Sequence, residues 1–140
     1  MTLDQVTLLR LAGLAQLSIA AGSILVPPFL KWPEELARLS PLTRRVFWTY
    51  AGYIFGTNIA GGLLALLAAP SLAAPSFLGA VVSGYLTIYW GSRLTLQFTC
   101  FGPVAPARTP VTRLGEIAFT SAFALITGVF AFTFVHNLGS

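Results

Sequence analysis

The sequence predicts an all-α membrane protein, a bundle of four transmembrane helices with a short amphipathic helix at the membrane surface between the first two. Three observations carry the prediction. Of 140 residues 56% are hydrophobic and only 9% are charged, far below the roughly 25% charged residues of soluble domains. Mean hydropathy is +0.80, and the apolar residues fall into four long blocks separated by proline, glycine and basic residues. At about 20 apolar residues per crossing the chain has room for four or five spans and no separate water-soluble domain.

The first block runs from about Val6 to Val26 and is closed by Pro27 and Pro28, which cannot continue a helix without losing hydrogen bonds. The second runs from about Val46 to Ala69 and stops at Pro70. An uncharged link, Ser71 to Ser76, leads to a third block, about Phe77 to Phe101, ended by Gly102 and Pro103; the fourth covers about Gly115 to Leu138. Each block makes roughly 30–37 Å of helix, enough for a hydrocarbon core about 30 Å thick. Blocks that are apolar on all sides disfavour the short alternating strands of a β-barrel. Asp4 precedes the first cation, Arg10, and no small-residue cleavage pattern accompanies Pro27 and Pro28, so the first block reads as a retained helix and not a cleaved leader.

The connectors set the expected orientation. Lys31, Arg38, Arg44 and Arg45 lie between the first two spans, and Arg108 and Arg113 between the last two. Both connectors should stay on the cytoplasmic side of the inner membrane, with both termini outside. Within Lys31 to Arg45, Pro33 suits a first helical position, Glu34 and Glu35 favour a helix amino end, and Trp32, Leu36 and Leu39 recur at helical spacing. This is the expected surface helix, with Trp32, Phe47 and Trp48 at headgroup level and Arg44 and Arg45 against anionic lipid. Ser40, Pro41 and Leu42 read as a turn into the second span.

Lipid is as apolar as leucine, so spanning helices associate through close packing of small residues and through hydrogen bonds. Gly52, Gly56 and Ala60 are spaced by four in the second span, beside Gly61 and Gly62. The third carries Gly79, Ser83, Thr87, Gly91, Thr95 and Thr99 in one four-residue series. Thr120, Ala124 and Gly128 in the fourth, with Ser18 and Gly22 in the first, complete the expected contacts, either within the bundle or between subunits.

Arg93 is the most informative group inside a span, because a guanidinium in hydrocarbon costs at least about 2.5 kcal/mol and needs a partner or a route to water. Three readings are open. It snorkels to lipid phosphate at the cytoplasmic interface, it pairs with Glu116, or it belongs to an anion or substrate site with Gln97 and Tyr89, each one turn away. Asn58, in the middle of the second span, should bond across to another helix, with Gln16 a candidate. His136 is expected at the outer interface, and one histidine cannot supply a bis-imidazole haem site within one chain.

Net charge is +4, but the cations gather between apolar blocks and form no stripe for nucleic acid. Cys100 is the sole cysteine, which excludes an internal disulfide and a thiolate metal cage. No G-x-S-x-G, H-E-x-x-H, phosphate-binding loop or paired intramembrane carboxylate occurs. These motifs leave the cofactor unknown, and catalysis is not favoured.

The run Trp32, Pro33, Glu34, Glu35, Leu36, the run Leu39 to Trp48, and Tyr89, Trp90, Gly91, Ser92, Arg93 with Gln97 together resemble a group of small four-span bacterial membrane proteins. The resemblance implies architecture rather than an activity, and draws attention to Arg44, Arg93 and Gln97. The leading functional expectation is therefore a non-enzymatic accessory or scaffold subunit, in contact with membrane lipids and packed on itself or on a larger membrane protein. The alternatives are a small oligomeric channel or transporter for an anion or polar solute, lined by Arg93, Gln97, Asn58 and Glu116, and a protein that binds a lipid or lipophilic cofactor near Arg93.

Overall fold

Hydroxyl, acidic and proline residues punctuate the chain, and each long helix starts at one of them. The structure, a computed structural model, describes residues 4–104 and 109–139. Helix α1 (Gln5–Ser23) is capped by Asp4, whose carboxylate accepts from the Thr7 amide at 3.1 Å. The Thr7 side chain and then its amide hold the Asp4 carboxyl below its ordinary 3.8, because both interactions favour the ionised form. Pro27 and Pro28 end α1 as expected but seed a single turn of their own, α2 (Val26–Phe29).

Lys31 then turns the chain in the left-handed region, at φ 54°, and α3 (Trp32–Leu36) follows with Pro33 in its first turn. This is the short helix expected between the first two blocks. It is briefer than the spacing implied: Leu36 is buried, while Leu39 lies beyond its end and is exposed. Trp32 meets Phe47 and Trp48 at centroid separations of 5.0 and 6.2 Å, both edge-on, and so pins α3 to the start of the next helix.

That helix, α4 (Pro41–Leu67), begins five residues before the apolar block does. Ser40, Pro41 and Leu42 are not a turn leading into it. Ser40 is its N-cap, accepting from the Thr43 amide at 3.3 Å, and Pro41 takes the first helical position, where no amide hydrogen is required. Helix α7 (Pro110–Leu138) likewise starts ahead of Gly115, through a reciprocal cap between Thr109 and Thr112 before Pro110. Between them, the uncharged link is partly helical: α5 (Ala69–Ala73) places Pro70 in its first turn. Ser76 caps α6 (Phe77–Leu96), which passes into a wider π-helical turn, Gln97–Phe101, and a 3-10 turn, Gly102–Val104. No strand occurs among the described residues. Arg108 lies outside them.

Three helices, α1, α4 and α7, are long and apolar enough to cross a membrane. Helix α6 has 20 residues, a sufficient length, but it carries Arg93 and several Tyr, Ser, Thr and Gly residues and is not among those three.

The helices pack as neighbours α4, α1, α7 and α6, with α5 closing one end against α1 and α6. Neighbouring partners run antiparallel. Gly13 of α1 faces Gly62 and Leu66 of α4, whereas Gln16 and Leu17 face Gly61 and Gly62; Gly79, Gly84 and Gly91 of α6 face Asn137, Phe134 and Thr127 of α7. The carboxyl ends of α1 and α6 therefore lie with the amino ends of α4 and α7. The core holds Leu9, Ile126, Phe130, Trp90 and Phe123 together with the polar Gln16, Ser83, Thr133 and Asn137, while Leu67, Phe77, Leu78, Ile88, Phe132 and Val135 point outward.

Candidate functional site

Most intrahelical hydroxyls are already satisfied locally. Ser83 donates to the Gly79 carbonyl at 2.6 Å, Thr87 to Ser83 at 2.7 Å, Thr95 to Gly91 at 2.9 Å and Thr99 to Thr95 at 3.0 Å. The four-residue series on α6 is thus a ladder of hydroxyls bonded back to their own helix, the arrangement open to Ser and Thr where no water competes. Among the described residues it gives no interhelical hydrogen bond. Its small size is used instead: Gly79 and Ser83 are buried, and a Cβ on Gly79 would stand 2.7 Å from Asn137 Oδ1.

The polar groups left over converge on the interior and on the carboxyl half of α6. Gln16 is 0% exposed, and neither its amide nitrogen nor its oxygen has a partner; its Oε1 rests against Gly61. One turn back on α4, the Asn58 oxygen accepts a hydrogen bond from the Tyr89 hydroxyl at 2.8 Å. Asn58 does bond across to another helix, but to α6 and not to Gln16. Tyr89 stands edge-on to Trp90, which lies 5.6 Å from Phe123. The Trp90 indole N–H is buried without an acceptor.

Arg93 completes this group. Its guanidinium carbon sits 4.8 Å from the ring centres of both Phe101, in the π-helical turn, and Phe123, on α7. Phe101 is eight residues further on, about 12 Å of helix, so the Arg93 side chain runs toward the carboxyl end of α6 while Phe101 leans back to meet it. The Nη1 group is buried and unpartnered. Two aromatic rings, absent from the sequence-based expectations for Arg93, are its neighbours. Gln97 and Glu116 are each half-buried, and among the described residues neither forms a side-chain hydrogen bond or ion pair with Arg93.

The remaining expected residues fall outside this interior. Gly52 and Gly56 are exposed, with nothing within 4 Å of a Cβ built on either, and Gly91 makes only ordinary contact with Thr127 at 3.6 Å. The tight helix contact instead uses Gly13, where a Cβ would lie 2.7 Å from the Gly62 oxygen and 2.8 Å from the Leu66 nitrogen. Arg44 is half-buried and Arg45 exposed, the latter in an open groove with Thr49, Tyr50 and Tyr53. His136 stacks on Phe132 at 6.4 Å. Among the described residues no group of His, Cys, Asp and Glu is placed to hold a metal.

One residue that sequence reasoning passed over, Asn137, holds the opposite end together. Asn137 Nδ2 donates to the carbonyls of Leu72 and Thr133 at 3.0 and 2.9 Å, and its Oδ1 accepts from the Ser76 amide at 2.9 Å. One side chain thereby joins α5, α6 and α7. A terminal Asn in an apolar helix was the available signal. No family model, curated protein or solved structure matches this chain.

Proposed function

We propose that this chain is a multi-pass protein of the cytoplasmic membrane in which α1, α4, α6 and α7 all cross the bilayer, and that it serves as a small non-enzymatic assembly subunit. Its surface supports the membrane reading: Leu67, Phe77, Leu78, Ile88, Phe132 and Val135 face outward over long helices, an apolar exterior that suits lipid better than water. Helix α6 and its π-helical turn together cover Phe77–Phe101, about 37 Å of rise if wholly α-helical. Lys31, Arg38, Arg44, Arg45 and Arg113 share one end of the molecule, a clustering of basic residues that supports a cytoplasmic position for that end.

The observation that carries the assembly role is the open face of α4. Gly52, Gly56 and Ala60 form a four-residue stripe, all exposed, and both glycines face empty space. Glycine inside a helix costs roughly 0.5–1 kcal/mol relative to alanine. Among the described residues no neighbour uses the room it makes, whereas a helix of a second copy or of a larger membrane protein would approach closely along such a stripe.

Native mass spectrometry of the protein taken from its own membranes in mild detergent tests this. The wild-type chain should emerge in a stoichiometric complex, with itself or with a membrane protein, and the double variant G52L/G56L should emerge alone but folded. A wild-type chain that is monomeric and partner-free, or a complex indifferent to G52L/G56L, would contradict the reading.

A further inference from the structure

The neighbourhood of Arg93 contains more donors than acceptors. Cation–π contact with Phe101 and Phe123 partly offsets the charge of the guanidinium, but its N–H donors still need acceptors. Nη1 is buried and has none. Three residues earlier on the same helix, against the same Phe123 ring, the Trp90 indole N–H is also buried and also lacks an acceptor, in a residue only 1% exposed. The nearby Tyr89 hydroxyl donates to Asn58. No carboxylate balances the guanidinium among the described residues.

A full positive charge with planar donors, a second orphaned N–H and no protein acceptor defines the chemistry of the missing partner. It is an oxyanion able to receive two N–H groups from a guanidinium fork. The Arg93 side chain runs toward the carboxyl end of α6, where the charged connectors lie, so the anion reaches it from the membrane interface. We infer that Arg93 and Trp90 form a binding site for a phosphate-type oxyanion, carried by a lipid headgroup or free in water. The inference goes beyond the assembly role and does not depend on it.

The test is ³¹P NMR of the full chain in maltoside micelles, which contain no phosphorus. Inorganic phosphate and short-chain phosphatidylglycerol are titrated separately, and the matching short-chain diacylglycerol is added as a competitor. Saturable broadening of at least one ³¹P signal is expected. Broadening of phosphatidylglycerol alone assigns the site to lipid, and broadening of inorganic phosphate, alone or as well, assigns it to a small anion. Arg93→Lys keeps the charge but loses the planar fork, and Trp90→Phe keeps the ring packing but loses the N–H; each should weaken binding about tenfold, the value of one charge-assisted hydrogen bond. Absence of saturable broadening with both probes, displacement by diacylglycerol as effective as by phosphatidylglycerol, or wild-type affinity in folded Arg93→Lys or Trp90→Phe would overturn the assignment.

Discussion

Glycine acts in opposite ways at two places in this molecule. At Gly13 the α1 and α4 backbones touch, and a methyl group would press on backbone atoms of Gly62 and Leu66 that have no side-chain freedom to yield. Gly13→Ala should therefore force the helices apart and lower stability by about 1–3 kcal/mol, the usual range for overpacking, measured by thermal unfolding in detergent. Gly52→Ala and Gly56→Ala, which meet nothing within 4 Å, should each raise the stability of the isolated chain by about 0.5–1 kcal/mol, the helix cost of the glycine they remove. Asp4 offers a second test. Its folded carboxyl is held below 3.8 by Thr7, so the support it lends to α1 is complete above that value and is lost as pH falls through the lower folded value. The Thr7 amide should lose hydrogen-exchange protection in that acid window, and Asp4→Asn should remove this pH dependence. Neither role was read from the sequence: Asp4 entered only as a charge ahead of Arg10, and Gly13 reads as one glycine among many until α4 is laid against it.

Among the elements, helix starts carry the clearest lesson. Hydropathy places the beginnings of α4 and α7 at Val46 and Gly115, whereas Ser40 with Pro41 and Thr109 with Pro110 begin them five residues earlier. Capping chemistry overrides hydropathy there because a helix amino end needs acceptors for its free amides, wherever the apolar run begins. Those pairs were visible in the sequence. The Asn137 contact was not, since its partners Leu72 and Ser76 lie more than sixty residues away. Asn137→Asp retains the acceptor for Ser76 but loses both donations, leaving the buried Leu72 carbonyl unpaired. A loss of about 1–3 kcal/mol is expected, read by chemical or thermal unfolding, with Ser76 remaining protected from exchange. On α6 the hydroxyls of the small-residue series bond back to their own helix, because the nearest carbonyl to a helical Ser or Thr is the one a turn before it.

At the scale of the whole molecule, antiparallel packing brings the two basic connectors to one end and the link around α5 to the other. Reporter fusions within Lys31 to Arg45 and within Ser71 to Ser76 should therefore report opposite sides of the membrane, the first cytoplasmic; the same side for both would rule out four crossings. The class of structure followed from the sequence alone, because long apolar runs can leave water only if every backbone amide is satisfied within its own helix. Chain order and short connectors likewise imply helices that turn back on one another. Which faces meet was decided only by the tertiary structure. In a soluble helix the apolar stripe marks the inward face, but here leucine, valine and phenylalanine cover every face, so that marker is absent. The choice of Gly13 over Gly52, of Tyr89 over Gln16 for Asn58, and of Phe101 with Phe123 around Arg93 depends on close fit between helices. Fit is a property of surfaces brought together, and no single helix contains it.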